Sequence, residues 1–84
     1  GSPIKRIGRD RFVRNVMIAL GNAGDAALAD VAVARLDDES ALVRGAAVWA
    51  LSRLDPDRFE AEREARAGAE TDAEVQAEWA QSPA

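Results

Sequence analysis

The sequence predicts an all-α domain of about five short helices, for three reasons. Apolar residues recur three or four positions apart, which is the spacing of one helix face. Residues that favour helix ends separate these stretches, and one segment of the chain repeats itself 31 positions later. No stretch convincingly predicts a β-strand, so we expect helices stacked in a short α-solenoid.

The first two helices are predicted from their apolar faces and their caps. The first is expected near residues 10–20, with Gly21 as its C-terminal cap and an apolar face made by Phe12, Val13, Val16, Met17 and Leu20. The second is expected near residues 26–36, with Asp25 as its N-terminal cap and a face made by Leu28, Val31, Ala32 and Leu36. These two helices would form one hairpin.

The third helix is expected to be the central one. It begins after Ser40 or one of the acidic residues before it and continues to Leu54. Its apolar residues cover two adjoining sides, made by Leu42, Val43, Ala46, Ala47, Trp49, Ala50 and Leu51. A helix with so wide an apolar surface packs between neighbours.

The last third of the chain predicts two further helices. Asp55 and Pro56 form an N-cap and first-turn pair for the fourth helix, which Gly68 would end. Thr71 and Glu74 have the spacing of a capping box, which would open a short closing helix that carries Val75 and Trp79.

The composition excludes several classes of function. The 84 residues contain no cysteine and no histidine. The chain therefore has no thiol nucleophile, no histidine base and no usual zinc or haem ligands. Its longest apolar runs are too short for a membrane helix, so no membrane partner is expected, and a cytoplasmic location fits the lack of cysteine.

The repeat gives the predicted architecture a more specific form. Phe12–Gly21 aligns with Val43–Ser52, and Val75–Trp79 aligns with the start of the same segment as a truncated third copy. The segment Val43–Leu51 resembles the first helix of short HEAT-like repeats. We therefore expect a short HEAT-like α-solenoid of two helical hairpins and a closing helix.

Charge is distributed unevenly along the chain. We divide it into a basic leader (residues 1–9), a helical repeat domain (10–81) and a tail (82–84). Basic residues concentrate in the leader and the first helical turns, opposed there by Asp10 alone: Lys5, Arg6, Arg9, Arg11 and Arg14. Cations near a helix N-terminus do not stabilise the helix, because the helix dipole is positive at that end. These residues therefore either bind phosphates or form a solubilising surface.

Other candidate residues also have two interpretations. The acidic run Asp37–Glu39 lacks the ligand order of an EF-hand and is expected to form a capping loop without a metal. Trp49 and Trp79 are expected in the core, with base stacking as the alternative. Arg44 either bonds to a neighbouring helix end or loop, or contacts a ligand.

The chain resembles the C-terminal part of the epoxyqueuosine reductases, which are tRNA-modifying enzymes of the queuosine pathway. The resemblance covers essentially residues 1–54 and is carried by these segments in order: Gly1–Arg6, Arg14–Val16, Ala19–Asn22, Gly24–Asp25, Leu42–Gly45 and Trp49–Leu51. It implies a domain excised from a longer iron-sulfur protein. It also implies that cobalamin and two 4Fe–4S clusters belong to an upstream catalytic region, and that no catalytic, cofactor-binding or metal-binding residue lies in this chain.

The resemblance further implies that the domain docks tRNA near the anticodon arm. The residues assigned to nucleic-acid contact are Lys5, Arg6, Arg9, Arg11, Arg14, Asn15 and Arg44. The alternative is a protein-interaction scaffold that packs on a partner or on the upstream catalytic domain of the same protein. In that case the basic residues would meet acidic side chains.

Overall fold

A computed structural model of the chain describes residues 3–81, and its side chains from Arg6 onward. This range contains five α-helices: α1 (Pro3–Ala23), α2 (Ala29–Ala34), α3 (Ala41–Leu54), α4 (Pro56–Arg66) and α5 (Ala73–Ala80). Two 3₁₀ turns, Ala26–Leu28 and Ala67–Ala69, precede α2 and follow α4. Residues 3–81 contain no β-strand, which confirms the all-α class. The predicted tail, residues 82–84, lies outside the described part of the chain.

The third helix, α3, is the centre of the fold, as its two apolar sides predict. It packs against all four other α-helices, most extensively against α1. Six of its side chains are buried: Val43, Ala47, Val48, Ala50, Leu51 and Leu54. The rest of the core comes mainly from Met17, Phe59, Val75 and Trp79.

The first helix is longer than predicted, because the basic leader is itself helical. The prediction placed its start near residue 10, whereas α1 begins at Pro3 and continues to Ala23. Proline is well tolerated in the first helical turn, where its missing N–H group would have no intrahelical partner. The basic side chains of α1 therefore project from one continuous helix.

The C-terminal cap of α1 is Gly24, whereas the sequence predicted Gly21. Gly21 lies inside the helix and is buried, so it is not the C-terminal cap. Gly24 follows the helix with a φ of 69°, and its N–H donates to the Leu20 carbonyl at 3.3 Å. That left-handed conformation favours glycine, which makes Gly24 the residue that ends α1.

Two predicted N-caps of α-helices, Ser40 and Asp55, are confirmed by side-chain hydrogen bonds. The third, Asp25, caps the 3₁₀ turn Ala26–Leu28, because α2 begins only at Ala29, three positions later than predicted. The Asp25 carboxylate accepts from the Ala27 N–H at 2.9 Å, the Ser40 hydroxyl from the Val43 N–H, and the Asp55 carboxylate from the Arg58 N–H. Each bond satisfies an N–H group that the first helical turn leaves without a partner.

The predicted capping box at Thr71 and Glu74 is wrong. Asp72 is the N-cap of α5, and its carboxylate accepts from the N–H groups of Glu74 and Val75 at 2.9 and 3.1 Å. The Glu70 carboxylate accepts from the N–H groups of Thr71 and Asp72. Because Glu70 holds both of these loop residues, the helix starts one position later than predicted.

Three residues assigned to apolar helix faces are exposed: Phe12, Val31 and Leu42. Phe12 is 68% exposed, although the apolar spacing assigned it to the buried face of the first helix. Met17 on the same helix is fully buried, and Val13, Val16 and Leu20 are half-buried. The face that α1 turns to α3 is therefore narrower than the spacing predicts.

Candidate nucleic-acid interface

The residues assigned to nucleic-acid contact lie mainly on α1. Arg6, Arg9, Arg11, Arg14 and Asn15 follow one another along that helix, whereas Arg44 lies in the first turns of α3. Lys5 belongs to α1, but its side chain lies outside the described residues. The structure therefore brings most of the candidates onto one element and gives them different surroundings.

Arg6 and Arg9 meet the acidic loop that joins α2 to α3. Arg6 pairs with Glu39, and both side chains are largely exposed. Arg9 donates two hydrogen bonds to Asp38, at 2.9 and 2.6 Å, and a third to Asp10 at 2.9 Å. An exposed ion pair adds little stability, whereas the bidentate geometry at Arg9 is specific.

Asp38 anchors this loop, and its side chain is only 4% exposed. Its hydrogen bonds from Arg9 lower the pKa of its carboxyl group to about 2, and those same bonds raise the pKa of the Arg9 guanidinium. The Asp38 carboxylate also accepts from the Ser40 N–H at 2.9 Å. Arg9 is therefore a structural link between α1 and the loop.

Arg11, Arg14 and Asn15 form a polar patch one helical turn long on α1. Residues three and four positions apart on a helix are neighbours, so Arg14 and Asn15 both lie beside Arg11. Arg14 Nη2 donates to Asn15 Oδ1 at 3.1 Å. No carboxylate among the described residues pairs with Arg11 or Arg14. We call these three residues the α1 patch.

Arg44 has a different environment, in which its hydrogen bonds go to the protein itself. Its guanidinium donates to both oxygens of Glu70, at 3.0 and 3.1 Å, and to the carbonyls of Asp38 and Glu39. These bonds to Glu70 raise the pKa of Arg44 and lower that of Glu70. Arg44 therefore has the first of its two predicted roles, a bond to a neighbouring loop.

The acidic run Asp37–Glu39 forms a loop whose three carboxylates each pair with an arginine. Asp37 pairs with Arg66 at the end of α4, while Asp38 and Glu39 pair with the two arginines of α1 described above. Within residues 3–81, no group of three or more acidic side chains could hold a metal ion. The loop therefore links α1 and α4 through charge.

The two tryptophans differ in burial. Trp79 is buried, and its ring centroid lies 5.5 Å from that of Phe59. Trp49 is half-buried, packs against Gly21 and carries the Arg53 guanidinium 5.3 Å from its ring centroid. Trp79 therefore lies in the core, as predicted, whereas Trp49 packs against the core and is only partly buried.

A groove that the sequence did not predict crosses α3 between α1 and α5. It has a volume of about 350 Å³ and is lined, among others, by Arg14, Ile18, Leu42, Trp49, Glu74 and Glu78. Its floor includes Ala41 and, one helical turn later, Gly45 and Ala46. These small residues are the only feature of the sequence that indicates a groove at this place. Burial raises the pKa of the Glu78 carboxyl group.

Comparison with known proteins gives three relatives of similar closeness. Epoxyqueuosine reductases from Alicycliphilus denitrificans, Xanthomonas campestris pv. campestris and Burkholderia pseudomallei are 46%, 44% and 48% identical to the chain over 63%, 63% and 61% of its length. The chain resembles a segment of epoxyqueuosine reductase. The match spans only 17%, 15% and 16% of these relatives. No family model matches the chain, and no solved structure matches it.

The 4Fe–4S clusters that the resemblance to epoxyqueuosine reductase implies do not fit the side chains of this segment. A 4Fe–4S cluster is held by cysteine thiolates, and the sequence contains no cysteine. The sequence also contains no histidine that could ligate cobalt.

Nothing in the described helices is suited to crossing a bilayer. The longest of them, α1, has 21 residues but carries a row of charged side chains, and no helix within residues 3–81 has an apolar stretch long enough to span a membrane.

Proposed function

We propose that this chain is a non-catalytic domain that docks tRNA for an epoxyqueuosine reductase of which it is the C-terminal part. The proposal includes a HEAT-like stacking of its helices, a cytoplasmic location, and contact near the anticodon arm. Its support is the similarity to a segment of three epoxyqueuosine reductases, together with the cations of α1. Under this proposal the cobalamin and 4Fe–4S clusters are held elsewhere in the same protein.

The α1 patch is the observation that carries the proposal. Two arginines and an amide lie within one turn of a helix, and no described carboxylate neutralises the arginines. Guanidinium groups bind phosphate through paired N–H donors, and side-chain amides also bond to phosphate oxygens. Arg11 and Asn15 are exposed, so a polyphosphate backbone can reach them.

Arg6 extends this surface toward the start of α1. Its side chain is 63% exposed, and so is most of its partner Glu39, so a phosphate can replace that carboxylate at small cost. Arg9 and Arg44 are omitted from the proposed contact because their guanidinium groups bond to Asp38 and Glu70. The proposed set is therefore Arg6, Arg11, Arg14 and Asn15, with Lys5 adjacent in sequence.

The experiment is binding of a fluorescently labelled tRNA anticodon stem-loop to the full chain, measured by anisotropy at several salt concentrations. Three phosphate contacts give a slope of log K against log salt of about −2 to −3. The double variant Arg6→Glu with Arg11→Glu is expected to weaken binding by about tenfold or more.

The matched control reverses a charge on another helix. Arg63 lies on α4 and pairs with Glu60, and both side chains are partly exposed. Arg63→Glu should leave RNA affinity within about twofold, since only charges near the phosphates contribute strongly. A flat salt response, or an equal loss in both variants, contradicts the docking proposal.

A second candidate function is packing against a neighbouring domain of the same protein. The observation that favours it is the pair of apolar side chains exposed on α1, Ile7 at 54% and Phe12 at 68%. A neighbouring protein surface could cover these side chains and remove their apolar area from water. If the chain does not bind RNA, this scaffold function becomes the better account of α1.

A further inference from the structure

The groove between α1 and α5 has oppositely charged walls and an apolar floor. Arg14 from α1 lines one wall, and Glu74 and Glu78 from α5 line the other. Ala41, Leu42 and Ala46 of α3 lie between them. A molecule that fills the groove should therefore bring negative charge to Arg14, positive charge to the two glutamates and apolar groups to α3.

Two polar groups in the groove, one nitrogen of Arg14 and the carboxylate of Glu78, lack hydrogen-bond partners among the described residues. Arg14 Nε is buried and has no hydrogen-bond acceptor, and such a buried donor is costly unless a ligand satisfies it. Among the described residues, the Glu78 carboxylate accepts no hydrogen bond, and burial alone raises its pKa. A partner that brings a carboxylate to Arg14 and a cation to Glu78 relieves both conditions.

The floor of the groove favours apolar side chains. Leu42 is 44% exposed and Ile18 is 38% exposed, although both lie beside buried core residues. Gly45 and the two alanines leave a trough along α3 that extends about 12 Å from Ala41 to Trp49, at 1.5 Å per residue. About two turns of a helix can lay one row of apolar side chains in such a trough.

We propose that this groove binds an amphipathic α-helix that carries acidic residues on one flank of its apolar stripe and basic residues on the other. The acidic flank meets Arg14, and the basic flank meets Glu74 and Glu78. Flanking charges of this kind select partners in paired helices generally. RNA is a poor occupant because two carboxylates form one wall.

The groove shares Arg14 with the proposed RNA contact, but the inference does not depend on that contact, because the rest of the lining comes from other residues. The probes are three synthetic helical peptides with one apolar stripe: a mixed-flank peptide with Glu on one side and Lys on the other, an all-Glu peptide and an all-Lys peptide. Binding of each to the full chain is measured by fluorescence anisotropy without RNA. The mixed-flank peptide is expected to bind about threefold to tenfold more tightly than either other peptide.

Arg14→Glu makes both walls acidic, so the all-Lys peptide should then bind most tightly. The control is Arg11→Glu, which changes the net charge equally on the same helix but outside the groove lining, and should leave the peptide ranking unchanged. Arg11→Glu is also expected to weaken RNA binding, so a failure of the RNA proposal and a failure of this one are distinguishable.

A second pair of variants tests the apolar floor of the groove. Leu42→Ala should weaken the mixed-flank peptide about threefold or more, whereas Val31→Ala should not, although Val31 on α2 is equally exposed at 43%. Thermal unfolding followed by circular dichroism checks that every variant is folded. Absence of peptide binding, tightest binding of the all-Lys peptide to the unaltered chain, or a ranking that Arg14→Glu does not change would overturn the proposal.

Discussion

A Cβ atom added at Gly21 would lie 2.5 Å from Cζ3 of Trp49. The approach is this close because α1 packs directly on α3, with the glycine of one helix against the indole ring of the other. Real Cβ atoms do not come so near a ring carbon, so a side chain at this position would force the two helices apart.

Gly21→Ala is therefore expected to destabilise the chain by about 1–3 kcal/mol, as overpacking of a tight contact does. Gly8→Ala is the matched control, because Gly8 lies in the same helix and a Cβ atom there meets nothing within 4 Å. That control should stabilise the chain by about 0.5–1 kcal/mol through helix propensity. Chemical denaturation measures both, and equal effects would show that the ring does not limit α1.

Arg44 and Glu70 connect the start of α3 to the loop before α5. Both side chains are mostly buried, at 19% and 9% exposed, and the arginine also bonds to two carbonyls of the acidic loop. Removing one member leaves the other charged and without its partner. Arg44→Met is expected to cost about 2–3 kcal/mol, and Arg44→Lys to recover little of it because lysine cannot form the planar fork.

The control for this pair is an exposed salt bridge. Arg63→Ala breaks the contact with Glu60 and removes the guanidinium that lies 5.9 Å from the Phe59 ring centroid, and should change stability by about 1 kcal/mol or less. Urea unfolding of the three variants provides the comparison. An Arg44→Met variant as stable as Arg63→Ala would mean that the fourfold bonding of Arg44 adds nothing to the fold.

Asp38 gives the chain a specific acid sensitivity. Its pKa is lowered to about 2 in the folded state, from about 3.8, chiefly by hydrogen bonds from Arg9. A carboxyl group with a lower folded pKa binds fewer protons when folded, so its stabilisation is complete above about pH 5 and is lost as the pH falls toward 2.

Asp38→Asn removes this titration but keeps an oxygen that can accept from the Ser40 N–H. We expect a loss of about 1 kcal/mol at neutral pH, a small value because Arg9 itself is exposed. The free energy of unfolding of the variant should also vary less between pH 2 and 5. An unchanged pH profile would show that the Arg9 pair is not formed in solution.

The features that the sequence predicted correctly are local ones. Ser40 and Asp55 cap α-helices, and Asp25 caps the 3₁₀ turn before α2, because their side chains reach N–H groups two or three residues away. A single sequence contains that information. The central position of α3 follows equally directly from its wide apolar surface.

The features that it did not predict depend on contacts between distant residues. Nothing near Arg6 or Arg9 indicates that Glu39 and Asp38, about thirty positions later, will lie beside them. The early start of α1 at Pro3 was not predicted either. The capping box was wrong for a similar reason, because Arg44 holds Glu70 and Glu70 holds the N–H of Asp72. The groove needs three helices at once, so no local pattern reveals it.

The Arg6–Glu39 pair yields a final prediction, which links the acidic loop to RNA affinity. If Arg6 contacts a phosphate, Glu39 competes with that phosphate for the same guanidinium. Glu39→Gln should therefore raise affinity for the anticodon stem-loop about twofold to fivefold and steepen the salt slope by up to about 0.9, one additional contact. Glu60→Gln makes the same change in net charge beside Arg63 on α4 and should raise affinity far less. Equal gains in the two variants would mean that only overall charge matters, and a loss in Glu39→Gln would mean that the loop helps to position Arg6 for RNA.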